Sequence, residues 1–335
     1  MNSQIDIQEN EILSKYKGVL DVLLFDHTTK SNILWATNNY SNLGELYSPH
    51  SEITPDLITG SNGSVIMPRV QKDKLLQQSR SRNMAEVFTP SWICNAQNNH
   101  IDNAWFNRDN VFNKEIIDND GERKWKVNQK KITFPANKDW KKYIREKRLE
   151  MACGEAPYIT SRYDTTTGKF IPVKERIGII DRKLRVINEN VDSSGAWLKA
   201  AQSAFQSTYG YEWQGDNLLL AREAMLFSFI ENYRLKFDKE PLVKSIKYMA
   251  YIISWNVWQM DGLKCVIPNS CKSQKYTKTS LFGKSKNSVL KCNGCRTGEV
   301  KNHNGTYCIV RNWALKDKKT GKTGRQIRFV DLLKN

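Results

Sequence analysis

Three times along the chain a strand-length segment ends on a carboxylate, and stretches of helical character separate the three. The segments are Arg148-Leu149-Glu150, with the small-residue turn Met151-Ala152-Cys153-Gly154-Glu155-Ala156 behind it, Thr208-Tyr209-Gly210-Tyr211-Glu212, and Val257-Trp258-Gln259-Met260-Asp261. Periodicity predicts helices over residues 194–207, 216–237 and 242–252, the first with Trp197, Leu198, Ala201, Ala204 and Phe205 on one face. Strands alternating with helices define an α/β fold with a parallel sheet, whose ligands sit outside the carboxyl ends of the strands. Where a backbone must approach a ligand closely, small residues are the usual choice, so the 151–156 turn reads as a cofactor loop.

The rest of the chain divides around this unit. Residues 1–85 form an N-terminal region of loops with short strands at Ile33-Leu34-Trp35-Ala36 and Asp56-Leu57-Ile58, and a strand at 65–69 leading into a basic helix. Val19-Leu20-Asp21-Val22-Leu23-Leu24-Phe25-Asp26 fits a strand or a helix equally well. Pro90 suits the first turn of a helix over 91–99, whose N-terminus attracts a carboxylate or phosphate. Residues 86–263 make up the cofactor-binding domain, with an insertion at 101–146. Within that insertion, the 118–124 stretch offers the acids and lysine of a metal nuclease or, more simply, a solvated turn.

Residues 264–335 hold 17 Lys and Arg against three Asp and Glu, and so carry +14 of the chain's +17. A concentrated positive field attracts polyphosphate, nucleic acid above all, although a solvated or ribosome-bound tail has the same composition. Five of the seven cysteines lie in this stretch. With no export leader in view, they point to thiols or metal rather than disulfides. Cys271, Cys292, Cys295 and Cys308 give four thiolates with one C-x2-C knuckle, as a structural Zn2+ site requires, with His303 able to replace a ligand; the knuckle alone is also a plain turn. Lys272, Lys275, Lys278, Lys284, Lys286, Lys291, Arg296, Lys301 and Arg311, with Tyr276 and Phe282 among them, form a candidate nucleic-acid surface. No stretch is long and apolar enough to span a membrane, so a cytoplasmic protein is expected.

The motifs also share an order with a known family. Glu86-Val87-Phe88-Thr89-Pro90 is similar to the Phe-Thr-Pro motif of the S-adenosylmethionine-dependent adenine-N6 DNA methyltransferases, especially restriction endonuclease subunit M proteins. Glu150-Met151-Ala152-Cys153-Gly154-Glu155-Ala156 resembles their Asp-Pro-Ala-Cys-Gly-Ser-Gly loop, with Ala156 in place of the second glycine. Tyr209-Gly210-Tyr211-Glu212 with Ala221-Arg222 resembles the ribose-binding Gly-x-Glu strand and its helix, and Gln259-Met260-Asp261-Gly262-Leu263 the adenine-binding Asp-Ser-Leu turn.

The resemblance implies a Rossmann-like class I methyltransferase sheet with helices on both faces and a small zinc-binding basic module behind it. It also implies S-adenosyl-L-methionine held by Phe88, Thr89, Pro90, Glu150, Cys153, Gly154, Ala156, Glu212 and Asp261. The implied activity is adenine-N6 methylation of DNA in a restriction-modification or phage-defence system, with a restriction or defence partner subunit. The family's catalytic Asn/Asp-Pro-Pro-aromatic sequence is absent, and Asn312 with Trp313, at the end of an apolar strand, is the preferred substitute, Pro268-Asn269 the other. A core tryptophan with a capping asparagine fits Asn312-Trp313 equally well. A catalytically inactive DNA-binding subunit, or an RNA methyltransferase, fits the same features.

Overall fold

In the computed structural model, which describes residues 9–84, 86–279, 285–317, 321 and 323–333, the chain begins with two short helices, α1 (Glu9–Lys15) and α2 (Val19–Leu24). The ambiguous run at 19–26 is thus a helix passing into β1 (Phe25–Asp26), which pairs antiparallel with β2 (Ser31–Asn32). Helix α3 (Pro55–Ile58) replaces the strand expected there, because Pro55 presets the first helical turn. The segment at 65–69 is not a strand, and α4 (Lys74–Met84) follows it.

Next come α5 (Ser91–Phe106), the antiparallel hairpin β3 (Asn113–Ile117) and β4 (Arg123–Val127), and α6 (Trp140–Arg145). Strand β5 (Arg148–Glu150) leads through α7 (Ile179–Asn190) and α8 (Ser194–Gln206) to β6 (Thr208–Glu212), and α9 (Gly215–Phe237) and α10 (Val243–Asn256) lead to β7 (Val257–Gln259). The chain closes with the hairpin β8 (Gln274–Thr279) and β9 (Ser285–Leu290), the single turn α11 (Asn293–Thr297), and the hairpin β10 (Ile309–Lys316) and β11 (Thr323–Arg328). Among the described residues no helix is long and apolar enough to cross a membrane.

The three acid-terminated strands form one parallel sheet in the order β5-β6-β7, with Glu150 level with Gly210 and Glu212 level with Gln259. Each crossover carries two helices, as a parallel connection requires. This is a mixed α/β fold, but among the described residues the parallel sheet has three strands rather than a full class I set.

Nor do helices cover both faces. Ile180, Leu184, Trp197, Phe205, Met225, Phe229 and Ile253, from α7 to α10, share the main core with Val257. The opposite face, Tyr209, Tyr211 and Trp258, packs in a separate cluster with Met260, Cys308, Val310, Phe329 and Val330. The alternation along β6 explains this, because Thr208, Gly210 and Glu212 point one way and the two tyrosines the other, leaving a second apolar face that the C-terminal hairpin covers. The 101–146 stretch joins the main core through Phe106, Phe112, Ile132 and Tyr143.

Arg222 sits fully buried in the middle of α9. Its guanidinium donates to the carbonyls of Val257 at 2.8 Å, Phe25 at 3.2 Å, Ser254 at 3.2 Å and Leu23, tying α9 to the end of α2 and to the α10–β7 junction. Beside it His27 stacks on Trp255, with ring centroids 3.9 Å apart, and shares a 2.9 Å hydrogen bond with Ser254 Oγ.

Burial first, and then the cations Arg222, Lys30 and Arg311, push His27 down to about 3, so it is neutral in the fold. Its stabilising contribution is complete above the ordinary histidine value of about 6.5 and is lost as pH falls from there toward 3. Urea unfolding in the pH 4–6 window is therefore expected to lose up to about 1.4 kcal/mol per pH unit from this one group, and a His27→Gln variant to have a correspondingly shallower slope. Equal slopes for the two proteins are the contrary result.

Candidate cofactor cleft and metal centre

The carboxyl ends of β5, β6 and β7 open into a cleft of about 900 Å³, within the range that holds a cofactor-sized ligand. Phe88, Thr89, Glu150, Cys153, Gly154, Glu212 and Asp261 all line it, drawn from four separate stretches of sequence. Pro90 and Ala156 do not. Ala156 is fully buried in the main core, so its methyl group does not narrow the cleft as the replaced glycine suggested. It adopts a left-handed φ of 59°, as do Ala152 (48°) and Gly154 (55°), and this curls the loop tightly over the sheet.

Glu212 organises the loop. Its carboxylate accepts from the Gly154 N–H at 2.9 Å and from the Gln214 N–H at 3.1 Å, leaving each oxygen a further lone pair toward the cleft. Burial raises its pKa, against those backbone donors. Glu150 accepts from the N–H groups of Ile159 at 3.0 Å and Tyr158 at 3.4 Å; burial, opposed by those donors and reinforced by Glu212, pushes it up to about 8. Burial thus favours the neutral form of the Glu150 carboxyl. Burial also pushes the Cys153 thiol well up, so it is an unreactive wall residue.

Phe88 lies against the loop. A side chain at position 154 would meet its ring at 4.0 Å, and the Arg69 guanidinium stacks over the ring 5.1 Å from its centroid. Asp261 has partners of its own: it accepts from the N–H groups of Leu263 and Lys264 and pairs with Lys264 Nζ at 2.8 Å, so it caps its turn. The exposed apolar side chains of Met84, Val87, Met151 and Leu263 ring the mouth.

The N-terminus of α5, expected to attract an anion, already holds one. Asp164 accepts from the Ser91 N–H at 2.7 Å, and although burial opposes it, the Thr166 hydroxyl and the Ser91 and Thr167 N–H groups bring its pKa down to about 2. Likewise the 118–124 stretch is a self-contained turn, in which Asp118 accepts from the Asp120 and Glu122 N–H groups and pairs with Lys124.

A buried ionic network that pattern reading missed supports the cleft floor. Arg80 bridges Glu86 at 2.7 Å and Asp216 at 2.8 Å, and Lys72 and the Tyr40 hydroxyl complete Asp216. Gln214 and Asn217, both cleft-lining, donate to Glu86. The one available sign was an acid two residues before the Phe-Thr-Pro motif.

In the C-terminal module Cys271, Cys292, Cys295 and His303 bring their ligand atoms within 4.8 Å of one another. The three sulfurs lie 3.6, 3.5 and 3.7 Å from His303 Nδ1. A tetrahedral ion with metal–sulfur bonds of about 2.3 Å and metal–nitrogen bonds of about 2.0 Å has edges of about 3.5–3.8 Å, so the donor set fits a metal ion such as zinc.

Gly294 makes the knuckle possible, since a side chain there would stand 2.7 Å from the His303 ring. The Cys292 sulfur accepts from the Cys295 N–H at 3.4 Å. The expected fourth ligand, Cys308, is not in the cluster: it is fully buried at the start of β10 and donates to the Gln259 carbonyl. A residue adjoining a core strand cannot also fold back to the knuckle, and His303 takes its place.

Neither Asn312 nor Trp313, the preferred catalytic candidates, lines the cleft. Trp313 lies within β10 and donates through its indole N–H to Asn256 at 2.7 Å, while Asn312 accepts from the Ala314 N–H and borders a separate cavity of about 250 Å³. Asn269, the other substitute, donates to the Ala36 carbonyl, which also accepts from the cleft-lining Trp213. Phe282 and Lys284, and the side chains of Lys275, Tyr276, Lys278 and Lys286, lie outside the described residues.

No protein-family model matches this chain, and no curated protein or solved structure matches it either.

Proposed function

We propose that this is a methyltransferase-like protein of reduced class I architecture that binds S-adenosyl-L-methionine in the cleft and engages DNA through its basic, metal-bearing C-terminal module. The observation that carries the reading is the convergence of residues 86–89, 150–154, 211–217 and 260–263 on one cleft at the carboxyl ends of three parallel strands. Glu212, with free lone pairs on both oxygens, suits the two ribose hydroxyls of such a cofactor, and the curled loop leaves room for its methionine end. Bound there, S-adenosylmethionine supplies an electrophilic methyl group. The chain's own residues bind and orient it, and the activity the resemblance suggests is transfer to adenine N6 in a restriction-modification or phage-defence setting.

Calorimetric titration with S-adenosylmethionine tests the cofactor half. Saturable binding is expected, weakened about 100-fold in Glu212→Ala, which loses both the ribose acceptor and the anchor of Gly154. No binding by the wild-type protein removes the reading.

A second reading, a catalytically inactive DNA-binding subunit of a defence complex, is favoured by the position of Asn312 and Trp313 outside the cleft. Transfer of labelled methyl groups to DNA, assayed with any partner subunit present, separates the two.

A further inference from the structure

A second cavity, of about 640 Å³, lies between the β3–β4 hairpin and residues 164–175, and the cofactor reading does not use it. Trp92, Trp125 and Phe170 line it together with Arg123 and Lys169. Trp125 is fixed from the hairpin side by its indole N–H, which donates to the Glu175 carbonyl at 2.8 Å. Arg123 lies over the Trp92 ring, 4.5 Å from its centroid, so its guanidinium is held flat against one wall.

Two of the three acids at the cavity already have partners. Asp164 is bound to the α5 N-terminus and its own turn, and Glu122 to Lys124 at 3.1 Å. The Pro90 that borders this cavity directly follows the Thr89 that borders the cofactor cleft, so the two open side by side.

We infer that this cavity takes an unstacked base of a single-stranded nucleic acid, stacked on Trp125 and Trp92, with the adjoining phosphates on Arg123 and Lys169. Several aromatic faces beside both donors and acceptors suit a nucleobase, since every base has a π-face and a polar edge. A cationic ligand such as a methylated lysine would also find aromatic rings. Here, however, one ring face is already occupied by Arg123, and Arg123 and Lys169, neither of them in an ion pair among the described residues, disfavour a further cation and draw a phosphate. The inference rests on the nucleic-acid half of the proposed function and not on its cofactor half.

The test is fluorescence anisotropy of short labelled single strands and duplexes with the full-length, zinc-loaded protein. Removing one stacked base corresponds to about 1–3 kcal/mol, so Trp125→Ala is expected to weaken single-strand binding by about 5- to 150-fold. Duplex binding through the C-terminal module and S-adenosylmethionine binding are expected to be unchanged. Lys169→Glu, on an exposed loop, is expected to weaken single-strand binding and to reduce its salt slope by about one phosphate contact, which keeps the test valid if the tryptophan variant misfolds.

Single-strand affinity unchanged in both variants overturns the inference. So does an equal loss of duplex and single-strand binding, or saturation of the cavity by a trimethyl-lysine peptide and not by oligonucleotides. A wild-type protein that binds single strands through Trp125 but takes no S-adenosylmethionine leaves this site standing and removes the cofactor reading alone.

Discussion

Replacing Cys292 or His303 by alanine is expected to abolish stoichiometric zinc, whereas Cys308→Ser is expected to retain it; metal analysis of purified proteins reads the difference directly. Three thiolates and one imidazole at tetrahedral spacing leave no role for Cys308, whose sulfur faces the Gln259 carbonyl. The consequence reaches the cleft. The two segments that bring Cys271 and His303 together flank a narrow ladder in which Asp261 pairs with Val266 and Val266 with Tyr307. The Tyr307 hydroxyl donates to the Val300 carbonyl at 2.8 Å and accepts from the His303 N–H at 3.0 Å.

Structural zinc contributes about 10–16 kcal/mol to small domains that depend on it entirely, and here the four ligands would tie together only this module. The metal-free protein is therefore expected to keep its main core but to exchange amide hydrogens faster around 261–271 and 300–308, and to bind S-adenosylmethionine about tenfold more weakly through the loosened Asp261 turn. Zinc retained in His303→Ala, or lost in Cys308→Ser, contradicts the ligand set.

Arg222→Met is expected to destabilise the whole protein by about 3–5 kcal/mol in urea unfolding, enough to unfold a marginally stable chain. The guanidinium satisfies four carbonyls, at the end of α2 and at the α10–β7 junction, and three of these hydrogen bonds are buried, so their acceptors lose their partner when it is gone. Burial lowers its pKa to about 10, with Asp26 opposing, so it remains charged near neutrality. Arg222→Lys is expected to rescue little, because a compact ammonium cannot reproduce a planar fork serving four acceptors. A loss below about 1 kcal/mol for Arg222→Met is the contrary result, since that is what an ordinary surface change produces.

The parallel sheet was legible because each strand carries a local signature of an apolar run ending on an acid, with helical stretches between one strand and the next. The cleft was legible for a related reason, since its lining comes from turns immediately after those strands. What sequence could not supply was anything decided by distant partners. Arg222 reads as one cation in an apolar helix, while two of its acceptors, Leu23 and Phe25, lie 199 and 197 residues away. The choice between His303 and Cys308 depended on which residue the second cluster claimed, and Asn312-Trp313 reads as a strand end only because the partner strand β11 is invisible in a linear pattern. Helices on both faces were implied by the family resemblance, whereas the apolar face of Tyr209, Tyr211 and Trp258 is closed by β10 and the residues that follow β11.

The carboxylate that Asp164 places at the start of α5 also bears on which molecules the neighbouring cleft will admit. In many nucleotide sites a helix N-terminus of this kind is left bare and cradles a phosphate. Here it is filled from within, and the cleft beside it is lined by four carboxyl groups, Glu86, Glu150, Glu212 and Asp261, with Arg82 as the one cation among its lining residues. A polyphosphate tail would find no bare helix N-terminus there and little positive charge to hold it. The cleft is therefore expected to prefer an adenosine whose ribose carries an uncharged or cationic substituent over one that carries a polyphosphate.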